Sequence, residues 1–399
     1  MPARLTARDA LRSLVYVEAE AGARDLPAPT VFNGVEFIEF AVDDAAGGEL
    51  ASRLAGIGFR RAGRHRSKQV DLYRQGRINL ILNMEPASAA AEHFQLHGPS
   101  VCALGPRVDD TARALARADA LLCPRWLEPI GPGERRIPSV RAPDSTLVFL
   151  VTPYPSGRSI YDDDFLMDTV PDGPKALTDP APKALTDPAP EALTDPAPEA
   201  LTDVDHIAQA IPFGRMAGFL LFWRAVFGFV PQAQFEQADP YGLIRSRAVV
   251  SADGTVRLPL NISESRETAT GRFISAYAGA GVQHIAFATA DIAAATNAIA
   301  ERGVPALPIP ANYYDDLAAR LGLDDAALDR LRERNLLFDR DEAGSFTHSY
   351  TDNFQDRFFF EIVERQGYLG FGAANAAIRI AAQAQQRSAG TLAARMALL

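Results

Sequence analysis

The chain has 399 residues, 40 of them lysine or arginine against 50 aspartate or glutamate, for a formal net charge of −10. That length allows two or more domains with substantial cores, and 47% apolar with 23% charged residues is the balance of a globular protein in water. The acidic excess excludes nucleic acid as the main partner; the cluster of Arg60, Arg61, Arg64, His65, Arg66 and Lys68 reads as a solvated strand edge or a local anion contact. Two cysteines, Cys102 and Cys123, exclude a disulfide scaffold, form no zinc motif and fit a reducing compartment. No run of 18 apolar residues lacks a charge: the richest, Met216 to Phe229, is broken by Arg224. The opening MPARLTARDALRSLVYVEAEAG has an amphipathic helical pattern without the apolar core of a secretion signal. A cytoplasmic protein with neither membrane nor nucleic acid as partner is expected.

Residues 1–30 read as a lead-in helix and a Pro-containing connector, DLPAPT. A first domain is expected over 31–155. Its VEFIEFAV run alternates as a strand does, Gly48 to Gly56 reads as a helix ending at glycine, and GFRRAGRH, VDLYRQG and INLILNMEP follow as strands. SVCALGPRVDD, a helix from Thr111 to Leu122 and a strand near Thr146 to Thr152 complete it. Residues 156–203 form a linker, in which KALTDPAP-type units repeat every eight residues from Lys175 to Asp203; their prolines forbid a continuous helix.

From Val204 the same order returns in a second domain, 204–382, followed by a tail, 383–399. DVDHIAQAI, the helical AGFLLFWRAVFGF, YGLIRSRAVV, VRLPLNISES, VQHIAFATADI, a helix to Gly303 and FFFEIVER succeed one another. Gly58-Phe59 answers Gly228-Phe229, Leu82-Asn83 answers Leu260-Asn261, and Val108-Asp109 answers Ala290-Asp291. Similarity at so long a period means a duplicated domain rather than a solenoid.

Three strand-like segments of the second half carry groups that packing alone would not choose. His206 stands in LTDVDHIAQAI, His284 in GVQHIAFATADI, and Glu361 in RFFFEIVER, spaced by 78 and 77 residues. A carboxylate in such a strand is costly unless paired, protonated or bound to a metal. Two imidazoles and one carboxylate make the facial set that leaves open positions on Fe(II), and Mn(II), Co(II) or Mg(II) accept the same donors. The first half serves as a control: Phe37, Cys102 and Phe149 stand where His206, His284 and Glu361 are matched, all side chains that bury well without a metal.

DVDHIAQAI, LPLNISES, GVQHIAFATADI, the stretch from Ala311 to Gly344 and FFFEIVERQGYLGFGAAN resemble 4-hydroxyphenylpyruvate dioxygenase, of the vicinal-oxygen-chelate superfamily. The resemblance implies an α+β fold of two duplicated vicinal-oxygen-chelate domains, each of paired βαβββ modules forming a curved, barrel-like mixed sheet. It also implies iron ligands at His206, His284 and Glu361, substrate contacts at Ser246, Asn261, Gln283 and Phe359, and a C-terminal helix whose Phe371 and Asn375 gate the pocket. Two positions depart from the family. His348 replaces a glutamine and stands open as an acid-base group, a fourth ligand or a polar pocket wall. Ala376 replaces a phenylalanine after Asn375, which widens the pocket.

A narrower resemblance, carried by VFNGVEFIEFAVDD, GFRRAGRHRSK, HFQLHGPSVCAL and GFGAANAAIR, is to the dioxygenase-like C-terminal part of two-domain bacterial 3-dehydroshikimate dehydratases. The opening ARDALRSLVYVEAEAG resembles the end of their barrel domain.

These resemblances imply Fe(II) as cofactor, O2 as co-substrate, and oxidative decarboxylation and oxygenation of an aryl 2-oxo acid. Ring cleavage of a catechol by the same triad is one alternative. A structural or regulatory partner of a separately encoded dehydratase barrel is another. A homo-oligomer is expected. Asp205, beside His206, is read equally as an orienting group or a solvated charge, and strand alternation turns Gln283 away from His284 unless the strand is irregular. His65, His93 and His97 are assigned no chemistry.

Overall fold

The structure is a computed structural model that describes residues 26–127, 130–153, 158–168 and 200–396, with side-chain burial given to residue 387. The expected lead-in helix and most of the eight-residue repeats lie outside the described residues. The first half runs β1 (Phe32–Ala41), α1 (Asp44–Ile57), β2 (Arg60–His65), β3 (Val70–Gln75), β4 (Ile78–Asn83), α2 (Ala89–His97), β5 (Ser100–Val108), α3 (Thr111–Ala120), β6 (Arg125–Trp126), β7 (Ser139–Arg141), β8 (Leu147–Phe149) and β9 (Phe165–Met167). The second runs β10 (Asp203–Ala210), α4 (Met216–Phe227), β11 (Val230–Asp239), β12 (Gly242–Val250), β13 (Arg257–Ser263), α5 (Ala269–Tyr277) and β14 (Gly281–Ala288). It continues with α6 (Ile292–Glu301), α7 (Asn312–Leu321), α8 (Asp325–Glu333), β15 (Leu337–Arg340), β16 (Ser345–Tyr350), β17 (Phe359–Gln366) and α9 (Ala373–Met396).

The two halves share one strand order. The first sheet reads β2-β3-β4-β1-β5-β8-β7-β6 with β9 added beside β2; the second reads β11-β12-β13-β10-β14-β17-β16-β15. In each, the central pair is antiparallel and is flanked by parallel neighbours. This is the expected α+β chain of two duplicated domains built from paired βαβββ modules.

Local chemistry places the elements that carry the duplication. Asp110 caps α3 by accepting the Arg113 N–H, and Asp291 caps α6 by accepting the Ala294 N–H. The equivalent pair is therefore Asp110 and Asp291, one residue from the match expected at Asp109. The register corrects a second match. Ala208 pairs with His284 and Glu39 with Ala103, while Ala210 pairs with Asn261 and Ala41 with Asn83. Ala103, not Cys102, thus occupies the place of His284. Phe37 and Phe149 do replace His206 and Glu361, and their rings touch at 5.8 Å.

β9, in the stretch expected as linker, pairs with β2, and α9 continues unbroken through the stretch expected as a tail. β11, α2 and α5 were not anticipated. One apolar core runs through both halves, with Phe40 against Phe358 at 5.2 Å and Phe59 against Phe287 at 5.3 Å. Among the described residues no helix is long and apolar enough to cross a membrane.

Candidate metal centre

Register brings the three candidate ligands together. His206 on β10 lies opposite Ala286 on β14, which lies opposite Glu361 on β17, while His284 sits one step along β14 on the same face. Small side chains at Ala208 and Ala286 leave room between the ligands. His206 Nε2 is 3.2 Å from His284 Nε2 and 3.2 Å from Glu361 Oε2, and His284 Nε2 is 3.4 Å from the same oxygen. Two ligand atoms about 2.1 Å from one ion and at right angles to it lie about 3 Å apart, so the three atoms fit one face of an octahedron. All three residues are buried.

The charges agree with that fit. Burial opposes ionisation of Glu361, yet His206 and the hydrogen bonds from His206, His284 and His348 hold its carboxyl well below the usual range. Burial would also lower His206, but the Glu361 and Asp205 carboxylates override it and raise the imidazole to about 9. For His284 burial wins, and its pKa falls to about 4. The carboxylate is kept ionised with both Nε2 atoms aimed at it, the arrangement a cation asks of its ligands.

Two supporting groups orient the set. His206 Nδ1 donates to Asp205 Oδ1 at 2.7 Å, and Arg365 holds both oxygens of Asp205 at 2.8 Å. The pairing overcomes burial and keeps Asp205 ionised, so it is a buried, paired carboxylate against His206 Nδ1 and not a solvated strand-end charge. His348, with no exposure, donates from Nδ1 to Glu361 Oε1 at 2.7 Å, while its Nε2 accepts from Asn375 Nδ2 at 3.1 Å. Both ring nitrogens are engaged, so neither offers a free lone pair as a fourth ligand. His348 fixes the rotamer of the ligand carboxylate.

The other expected residues divide. Gln283 is the extra residue of a bulge, since the register steps from Ala208–His284 to Gln209–Val282. The bulge breaks the alternation that would turn Gln283 away. Ser246 pairs with Asn261 and Asn261 with Ala210, which places both on the sheet face of His206. Phe359 stacks on His284 at 4.9 Å with planes 18° apart. Phe371 meets the edge of His206 at 5.3 Å. Asn375 is fully buried and also accepts from Tyr313 at 3.1 Å, so its amide braces His348. Sequence reasoning missed Tyr350, Arg365 and Arg379; only Arg379 carries a readable sign, a charge set between Ile378 and Ile380.

Two domains of paired βαβββ modules, with a two-histidine, one-glutamate set on the second, define the vicinal-oxygen-chelate class. The family model for the N-terminal part of hydroxyphenylpyruvate dioxygenase matches residues 27–166, and that of the glyoxalase/bleomycin resistance protein/dioxygenase superfamily matches 203–327. The 4-hydroxyphenylpyruvate dioxygenase of Pseudomonas aeruginosa is 32% identical, over 87% of this chain and 92% of that protein. The 3-dehydroshikimate dehydratase of Pseudomonas putida is 42% identical over 97% of this chain, which spans 60% of its length. A solved xylose isomerase-like TIM barrel/4-hydroxyphenylpyruvate dioxygenase fusion protein superposes with a TM-score of 0.75 at 43% identity, covering 90% of this chain and 54% of that one. The chain belongs to the 4-hydroxyphenylpyruvate dioxygenase family.

Proposed function

We propose that the chain is a non-heme Fe(II) dioxygenase that decarboxylates and oxygenates an aryl 2-oxo acid in the cytoplasm. The observation that carries this reading is the buried convergence of His206, His284 and Glu361, with Asp205 and His348 bracing two of the three. One O2 is consumed per turnover: CO2 leaves, one oxygen atom completes the new carboxylate and the other enters the rest of the substrate. When bound, Fe(II) supplies the electrons that activate O2 and a Lewis-acidic site for the carboxylate and keto oxygens of the acid. The protein's share is positional. With the ion in place of the proton that His206 otherwise holds, His206 and His284 would present Nε2 and Glu361 Oε2, while Phe359 and Phe371 would exclude water with their rings.

The test is oxygen uptake and CO2 release by the Fe(II)-loaded protein with 4-hydroxyphenylpyruvate. Equal amounts of both are expected, with a loss in His284→Ala greater than the roughly ten- to hundredfold that removing a group behind a ligand costs. Oxygen uptake without CO2 would contradict the decarboxylation.

A second reading rests on the dehydratase relative and the barrel fusion, of which this chain covers 60% and 54%. In that reading the chain is the dioxygenase-like component of a 3-dehydroshikimate dehydratase and docks on a TIM barrel. Stable co-elution with such a barrel, and a rise in the barrel's dehydration rate, would support it.

A further inference from the structure

Arg379 lies on α9 four residues after Asn375 and three after Ala376, in the stripe turned towards the sheet. It is only 7% exposed. Its Cζ lies 5.3 Å over the Phe359 ring and 5.5 Å over the Tyr350 ring, and Phe359 itself stacks on His284. The guanidinium is thus two ring contacts from His284, through Phe359.

A guanidinium buried so far is ordinarily paired with a carboxylate. Among the described residues no carboxylate lies within 4 Å of Arg379; it donates to the Gln383 amide oxygen at 2.9 Å and faces the Tyr350 hydroxyl, both neutral. Gln383, 8% exposed, has a buried Nε2 with no partner among the described residues. A planar cation and an unused amide donor therefore stand side by side, with capacity for an anion that none of the described residues supplies. Ala376, one turn earlier, contributes only a methyl group beside them.

We propose that Arg379, assisted by Gln383, binds a carboxylate at the far end of the ligand. The site then takes a compound with an oxygen pair that chelates the metal at one end and a carboxylate at the other. The chelating end rests on the metal-centre reading proposed above; the carboxylate end rests on Arg379 and Gln383. Both a 2-oxo acid and a vicinal diol can supply the chelating oxygens.

Anaerobic calorimetry on the full chain tests this, first with Fe(II) and then with two matched pairs of probes: 4-carboxyphenylpyruvate against phenylpyruvate, and 3,4-dihydroxybenzoate against catechol. In at least one pair the carboxylate-bearing probe binds about tenfold tighter or more, as a charge-assisted hydrogen bond implies. The pair that shows it identifies the chelating end. Arg379→Leu removes the preference with Fe(II) uptake unchanged, and Arg379→Lys retains part of it. Equal affinity within both pairs overturns the proposal without any variant, and a preference that survives Arg379→Leu overturns it as well. Failure of the wild type to take up Fe(II) instead contradicts the proposed function, and the same probe pairs on metal-free protein then read Arg379 alone.

Discussion

Glu361 turns Oε2 to the two histidines and Oε1 to His348, so the residue at 348 decides which way a ligand points. Removing that bond in His348→Ala frees the carboxylate to rotate, and Fe(II) affinity is expected to fall about ten- to hundredfold. His348→Gln restores a donor at similar reach and is expected to recover most of the loss. Metal titration of the three proteins checks this; equal affinities would show that the bond does not hold the ligand. The sequence made the ligands themselves legible, because a carboxylate or imidazole in a run such as FFFEIV has no other low-cost explanation. It left their supports ambiguous. Whether His348 met Glu361 depended on the pairing of β16 with β17, and whether Asp205 faced Arg365 depended on a break in the register beside Val204.

Alternating strands and glycine-terminated helices were readable because they bury one face: VEFIEFAV, INLILN and the helix ending at Gly228 all fall where their patterns place them. β11 escaped because VPQAQFEQAD is an edge strand whose side chains are largely exposed, so no apolar face marks it. The bulge at Gln283 escaped because a register step leaves no trace in composition. α9 carries the largest consequence at this scale. Its Asn375 meets His348 and its Arg379 covers the Tyr350 and Phe359 rings, with Ala376 between them buried at 8% exposure. Ala376→Phe is expected to fill that space, weaken binding of 4-carboxyphenylpyruvate about tenfold or more and leave Fe(II) uptake intact. An unchanged order of probe affinities would show that the helix does not wall the pocket.

The halves form one core, and their contact includes a buried polar cluster. His93 Nε2 lies 2.9 Å from the Tyr277 hydroxyl, and His97 Nδ1 lies 2.7 Å from the Tyr277 carbonyl, across 184 and 180 residues of sequence. Burial first, then the neighbouring His97 and Arg141, lowers His93 from 6.5 to about 3. The unfolded chain therefore binds a proton at His93 through a window in which the folded chain refuses it. This group's contribution is complete above pH 6.5 and is lost as pH falls towards 3, at up to about 1.4 kcal/mol per unit. Urea midpoints at pH 7 and pH 5 are expected to differ less in His93→Phe than in the wild type; equal differences would contradict this account. The duplication was legible at this scale from the repeated order of elements. The joint between the copies was not, because its partners lie far apart in the chain.

His206, His284 and Glu361 together are expected to hold one metal ion. The most direct test is iron content after anaerobic loading with Fe(II) and removal of the excess. One iron per wild-type chain is expected, and essentially none in a folded Glu361→Ala variant. A wild type that retains no iron, or a variant that retains as much, would contradict it.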